Sequence, residues 1–430
     1  MLSRIPDKKI SAVFNKALQE KELINVDDTA IIFYDLSYLR ERIKNLIKLF
    51  PASALHAIAI KANPLAKILT QIKELGGGLE AASLPELYLA VKAGFSPDKI
   101  VFDSPTKTTQ ELEYALKFGV YINADSFFEL ERIAELLKSK PSQSTIGVRI
   151  NPQVGTGAIL STSVAGEYSK FGIPLKENRD QLVESFLRHN WLRGVHLHVG
   201  SQGCEIPLLI KGIEAVFNLV DEVNACFRKK RFQRKIDIFD IGGGLPVTYY
   251  REQEPVSMQR YTQELRSRFD VLWDNDVKLI TEFGRYVYAN TGWVVSRVEY
   301  VKPGTSVSTA MLHVGADLFL RKCYRPDEWH HEISVLDHQG KMKIGRDKNK
   351  YIIAGPLCFA GDIIAKEIEL PSVEQDDFIV IHDAGAYTLS MWSRYNSRQI
   401  PKVIGYYEDG KKFEILKERE SLEQIWEFWN

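Results

Sequence analysis

Lys61 lies near the end of the mostly apolar run LHAIAIKANP, residues 55–64. A lysine at the end of a buried strand has two readings. It is an ordinary cation that snorkels to solvent or pairs with a carboxylate, or it is a partly desolvated amine able to attack an aldehyde. With a carbonyl cofactor, the second reading also requires a phosphate cradle, a ring to stack on the cofactor and a partner for its ring nitrogen. Three segments offer such groups. DIGGGLP (240–246) places Gly242, Gly243 and Gly244 in succession; they let backbone N–H groups approach an anion, or simply form a tight turn. ITEFGRYV (280–287) supplies Glu282, with Gly284 and Arg285 behind it. HLHVGSQ (196–202) supplies His196 and His198, on one face by the two-residue strand period, and then Ser201. Paired histidines suit a metal, but no carboxylate or cysteine at suitable spacing completes a ligand set, so His198 reads as a stacking ring.

These groups need elements to hold them. From about residue 55 to 285, eight β-like runs alternate with amphipathic helical stretches: LHAIAI, GLEAAS, KIVFDS, VYINAD, TIGVRIN, GVHLHV, IDIFDIGGG and KLITEFG. That alternation predicts a (β/α)8 barrel of TIM type. Lys61, His198, the glycine triplet and Glu282 then fall at strand C-terminal ends, the face where such barrels carry their active sites. Asn63 and Pro64 read as the cap and first position of the helix that follows Lys61, and Gly76 as its end. Beyond about residue 290, VVSRVEYVK, STAMLHVGAD, KYIIAG, AKEIELP and DFIVIHDAG lack intervening helices and predict an antiparallel β-barrel or sandwich domain. TAIIFYDL, near residue 30, can join it. The expected division is residues 36–290 for the barrel, and 1–35 with 291–430 for the β-rich domain.

The chain is long enough for two such domains, with 430 residues of which 45% are hydrophobic and 26% charged. Lys plus Arg number 56, as do Asp plus Glu, so no global charge draws the protein to nucleic acid or an anionic membrane, and a small-molecule partner is expected. The N-terminal stretch is amphipathic rather than a signal sequence, and no run is long enough to span a bilayer, which predicts a cytoplasmic protein. Four scattered cysteines suggest neither a disulfide framework nor a zinc site.

Together the segments resemble the fold-type III pyridoxal-phosphate decarboxylases, the family of diaminopimelate and ornithine decarboxylases. The likeness covers nearly the whole chain and extends to VRINP (148–152), SKFGI (169–173), GPLCFAGD (355–362) and DAGAY (383–387). It implies that Lys61 carries pyridoxal 5′-phosphate as a Schiff base, with Glu80 nearby. His198 would stack on the ring and Glu282 would pair with the pyridine nitrogen. Ser201, Gly242, Gly243, Gly244, Gly284, Arg285 and Tyr387 would hold the phosphate. The resemblance also implies a homodimer with shared sites, in which Cys358 and Tyr387 reach the partner's cofactor and Cys358 returns a proton to Cα.

The departures concern substrate. Phe359 stands where the family has an acidic residue that reads a distal ammonium, so a charge-assisted hydrogen bond of roughly 1.5–3 kcal/mol has no acceptor there. Arg321, Tyr324 and Arg325 offer the family's distal-carboxylate chemistry in a shifted register, and can equally be rim residues. Glu80 replaces the usual Asp. The leading expectation is therefore decarboxylation of an amino acid or conjugate without a simple distal ammonium, such as a siderophore intermediate. True meso-diaminopimelate decarboxylation, or an ornithine/lysine-type activity, is the alternative. A racemase is disfavoured because Glu282 replaces the arginine that alanine racemase sets against the ring nitrogen. A non-catalytic homologue is disfavoured by the presence of Lys61, Glu282 and Cys358.

Overall fold

The computed structural model describes residues 4–345 and 347–430. The chain divides into two compact units, one of Arg42–Pro246 and Val256–Tyr286, the other of Met1–Glu41, Val247–Pro255 and Val287–Asn430. In chain order the strands of the first half are β1 (Ala30–Asp35), β2 (Leu55–Ala59), β3 (Gly78–Ala81), β4 (Ile100–Phe102), β5 (Tyr121–Ala124), β6 (Ile146–Asn151), β7 (Ile173–Pro174), β8 (Leu192–His196), β9 (Ile238–Asp240) and β10 (Lys278–Thr281).

β2, β3, β4, β5, β6, β8, β9 and β10 pair in that order, all parallel, and β10 pairs back to β2. This is the expected closed eight-stranded barrel; the two-residue β7 adds only to the edge of β6. Helices cover the outside and the interior is filled, so nearly every strand residue is buried. That is why the strands read as continuous apolar runs rather than alternating ones. Leu55, Ala57, Val101, Tyr121, Ile238 and Ile280 form one interior cluster.

Two local readings are corrected. Lys61 sits in a 3-10 turn, Ile60–Ala62, and the next helix begins at Ala66 with Leu65 as its cap. Asn63 does not cap that helix and Pro64 is not its first residue. Asn63 Oδ1 instead accepts the Leu65 N–H at 3.2 Å, because the chain needs an Asx-type bend before the helix can start. β8 ends at His196, so His198 lies in the following loop rather than two positions along a strand.

In the other unit the strands are β11 (Gly292–Arg297), β12 (Tyr300–Lys302), β13 (Ser308–Met311), β14 (Ile333–Leu336), β15 (Asn349–Ala354), β16 (Ile363–Leu370), β17 (Phe378–Ile381), β18 (Lys402–Tyr407) and β19 (Lys412–Lys417). One sheet runs β14-β17-β11-β1-β18-β19 and the other β12-β13-β15-β16. The N-terminal strand does join this unit, between β11 and β18. The unit is not wholly antiparallel: β1–β18 and β13–β15 are parallel pairs. β14, β18 and β19 lie outside the segments read as strands. The helix Asp7–Gln19 buries Ile10, Val13, Phe14 and Ala17, and Phe33 stacks on Trp293 at 4.2 Å in the same core. Among the described residues, no helix is long and apolar enough to cross a membrane.

His56 on β2 gives the barrel a measurable acid sensitivity. Its Nδ1 lies 2.8 Å from Thr281 Oγ1. Burial, with help from Lys99, lowers its pKa to about 4. The unfolded chain therefore binds the extra proton. Stability from this residue is complete above about pH 6.5 and is lost as pH falls towards about 4, by ~2 kcal/mol at about pH 5. His56→Gln should flatten that slope in urea unfolding followed from about pH 7 to about pH 5; equal slopes would refute the assignment.

Candidate active site

The C-terminal ends of the barrel strands bring an unusual set of side chains together. Lys61 Nζ donates to Glu80 Oε2 at 2.7 Å, and Glu80, at the third position of β3, is fully buried. Asp103, one residue past β4, is buried beside it. From β6, Arg149 reaches Asp103 at 3.7 Å and Asp125 at 3.9 Å, and its guanidinium covers the Phe171 ring at 4.5 Å. His196 Nε2, at the end of β8, lies 3.8 Å from Asp103 and 3.6 Å from Glu282. Asp103, His196 and Glu282 each bring a ligating atom within 4.8 Å of the others. Two carboxylates thus converge on His196, which spacing along the chain did not reveal.

Burial forces these groups to share protons. It raises the Glu282 carboxyl to about 8, reinforced by the charge of Asp103. Glu80 is raised well above the usual carboxylate range by the same two causes. Asp103 goes the other way: burial opposes its ionisation, but Lys61, a hydrogen bond from Glu80, His196 and Arg149 outweigh that and hold it low. Asp240 is raised by burial and by Glu282. It accepts from Asn123 Nδ2 and from the Gly242 N–H, both at 3.1 Å.

His198 is held as a neutral ring. Burial, then Arg149 and Lys61, push its pKa well below the usual value. Its Nδ1 accepts the Gly243 N–H at 3.1 Å, which leaves any ring proton on Nε2. The glycine loop is shaped by close approach: a β-carbon at Gly243 would lie 2.5 Å from the Glu282 carbonyl oxygen. Gly242 and Gly244 have φ of +63° and +103°. Arg285, buried, donates from Nε to Ser201 Oγ at 3.0 Å, so two expected phosphate groups are neighbours. Gly284 packs by size, since a β-carbon there would lie 2.9 Å from those of both Ala59 and Ala62.

The remaining predicted residues lie in the other unit. The Arg321 guanidinium stands over the Trp329 and Tyr387 rings at 4.8 and 4.7 Å. Arg325 forms an exposed ion pair with Glu328 at 3.3 Å. Tyr324 stacks on Phe359 at 5.5 Å, and Tyr395 meets Phe359 edge-on at 6.2 Å. Cys358 is an exposed free cysteine whose backbone is fixed on both sides: its N–H donates to Asn396 Oδ1 at 2.8 Å, and its carbonyl accepts the Tyr395 hydroxyl at 3.1 Å. Tyr387 holds a φ of +57°, a costly conformation for a tyrosine that its surroundings must impose.

The barrel residues missed in the sequence are Asp103, Asn123, Asp125, Arg149 and Asp240. Asp103, Asp125 and Asp240 stand at or one residue past a strand end, and Asn123 and Arg149 lie within the last three residues of β5 and β6; that position was the available signal.

These features define a barrel whose strand ends gather a lysine, buried carboxyls, neutral histidine rings and a tight glycine loop. The chain matches the family model for the pyridoxal-dependent decarboxylase pyridoxal-binding domain over residues 36–289, and that for the C-terminal sheet domain over 285–385. It is 31% identical to a diaminopimelate decarboxylase of Helicobacter pylori strain J99 over 418 residues, covering 94% of this chain and 96% of that one. It is 29% identical to one from Aquifex aeolicus over 415 residues, covering 96% and 94%. The solved structure of the Helicobacter pylori enzyme complexed with L-lysine superposes with a TM-score of 0.82 at 28% identity, covering 95% of this chain and 98% of that one. The chain belongs to the fold-type III pyridoxal-phosphate-dependent decarboxylases. It is a pyridoxal-phosphate amino-acid decarboxylase of the diaminopimelate/ornithine type.

The residues present fit that cofactor. Glu282 Oε1 and both His196 nitrogens are buried without a hydrogen-bond partner among the described residues, which suits a pocket that receives a polar ring atom. Gly243→Ala should push the Glu282 backbone away and weaken cofactor binding by about tenfold or more in equilibrium dialysis. Unchanged affinity would show that the close approach is not needed.

Proposed function

We propose that the protein decarboxylates a diaminopimelate-type α-amino acid at Cα, as a cytoplasmic homodimer with shared sites. The observation that carries this reading is the Lys61–Glu80 contact of 2.7 Å beside a buried Glu282, in a chain whose full-length relatives are named diaminopimelate decarboxylases. These relatives favour the diaminopimelate alternative, which is adopted in place of the siderophore-type conjugate.

Pyridoxal phosphate, when bound, supplies the electron sink for the bond broken as CO2 leaves. Lys61 would hold the cofactor through its amine. Glu282, its carboxyl raised to about 8 by burial, would be the partner of the pyridine nitrogen. The neutral His198 ring would stack on the cofactor without adding a positive charge. Ser201, the Gly242–Gly244 loop, Gly284 and Arg285 hold the phosphate, with Tyr387 from the partner protomer. Cys358, also from the partner protomer, returns the proton to Cα; its fixed backbone and exposed thiol suit that task. Arg321, Tyr324 and Arg325 remain candidates for the distal carboxylate, with Arg325 already engaged by Glu328.

One observation favours a second reading of the distal end. Phe359 packs between Tyr324 and Tyr395, an aromatic surface without the acceptor that a distal ammonium needs. A screen of meso-diaminopimelate, lysine, ornithine and amino acids with uncharged or bulky distal groups, read as CO2 release, tests both. Turnover of meso-diaminopimelate supports the first, and turnover confined to substrates without a distal ammonium supports the second. No release from any, with the visible cofactor band intact, refutes decarboxylation of these classes. Lys61→Ala should abolish release. Phe359→Glu should raise the preference for a distal ammonium about tenfold or more, equivalent to one charge-assisted hydrogen bond.

A further inference from the structure

Lys61 contacts one carboxyl directly, and a second stands immediately behind it. Glu80 and Asp103 come from neighbouring strands, β3 and β4, and both are buried. Glu80 Oε2 takes the Lys61 hydrogen bond at 2.7 Å. Glu80 Oε1 and Asp103 Oδ1 have no donor among the described residues. Two ionised carboxylates cannot face each other in such a place, whereas a proton between them supplies the missing donor.

The surrounding charges decide which member keeps that proton. Asp103 faces Arg149 at 3.7 Å and His196 at 3.8 Å, with Lys61 close enough to act on it. Glu282 and Asp240 lie beyond, and Glu86, whose carboxylate holds the Ala82 N–H at 2.7 Å, approaches from the following helix. Glu80 faces Lys61 alone among the cations. Four buried carboxyls, Glu80, Asp103, Asp240 and Glu282, thus gather around one permanent cation, Arg149, which stands at Asp103, and the titratable Lys61 amine, which stands at Glu80.

We propose that Asp103 is a positioning residue that shares one proton with Glu80, so that Lys61 is held by a neutral carboxyl and the negative charge resides one side chain further away. The directions of the carboxyl shifts agree with this, Glu80 up and Asp103 down. The arrangement keeps the Lys61 amine oriented without pinning it as an ammonium in a tight ion pair. It rests on Lys61 as the attachment residue, and not on which amino acid is decarboxylated.

The test is a pH titration of the visible absorption of the bound cofactor in the holoenzyme. Glu80→Gln imitates the neutral member and should leave the midpoint close to that of the wild type. Asp103→Asn frees Glu80 to ionise against Lys61, and should raise the midpoint by about one pH unit or more, as expected for moving a charge into direct contact. The double variant should lose that rise. A large fall of the midpoint in Glu80→Gln would overturn the proposal, because it would mean an ionised Glu80 in the wild type. A rise that persists in the double variant would overturn it equally. If Asp103→Asn fails to fold, Glu80→Gln alone decides. Borohydride reduction followed by peptide mapping checks the premise separately: label on a lysine other than Lys61 overturns the proposal whichever substrate releases CO2.

Discussion

The burial of several carboxyl groups against too few cations is the constraint on which the barrel end depends. Glu80, Asp103, Asp240 and Glu282 are each almost wholly removed from solvent, beside the Arg149 guanidinium and the titratable Lys61 amine. Such a cluster is stable only if protons are retained and every carboxyl is anchored. Asn123 and the Gly242 N–H anchor Asp240, Lys61 anchors Glu80, and Arg149 lies near both Asp103 and Asp125.

Backbone geometry fixes these groups to within the tolerance that chemistry needs. The strands end one after another around a closed ring, so each terminal side chain inherits its position from a hydrogen-bonded ladder rather than from a free loop. The loop after β9 is pulled tight by the Gly243 N–H bond to His198 and by the approach of Gly243 to the Glu282 carbonyl. One short segment therefore fixes the His198 ring and abuts the Glu282 backbone. The other unit fixes its own candidate groups differently: the backbone of Cys358 is clamped between Asn396 and Tyr395, and Tyr387 is held at positive φ.

The errors in reading the sequence have local physical causes. His196 and His198 look equivalent under a two-residue period, but β8 stops at His196, and the next residues bend to meet the glycine loop. Asn63 and Pro64 look like a helix start, yet the chain makes a 3-10 turn to present Lys61 before the helix begins. β18 and β19 escape the sequence reading because the turn EDGK (408–411) that joins them as an antiparallel pair carries no repeated strand pattern around it. The two parallel pairs of the β-rich unit follow from chain order in space, with β1 between β11 and β18, which no local pattern encodes.

The amino-acid sequence by itself determined the barrel, the joining of the N-terminal strand to the β-rich unit, and the placing of Lys61, Glu282, the glycine triplet and Arg285 at strand ends. Each of these rests on periodicity, punctuation and motif order, which are local properties. Only the tertiary structure decided which strand ends face one another: that Asp103 stands behind Glu80, that two carboxylates converge on His196, and that Arg285 meets Ser201. Those relations depend on ring closure and strand register, which bring residues as distant as His56 and Thr281, 225 positions apart, into hydrogen-bond contact. The protonation of the cluster follows from that proximity and from burial.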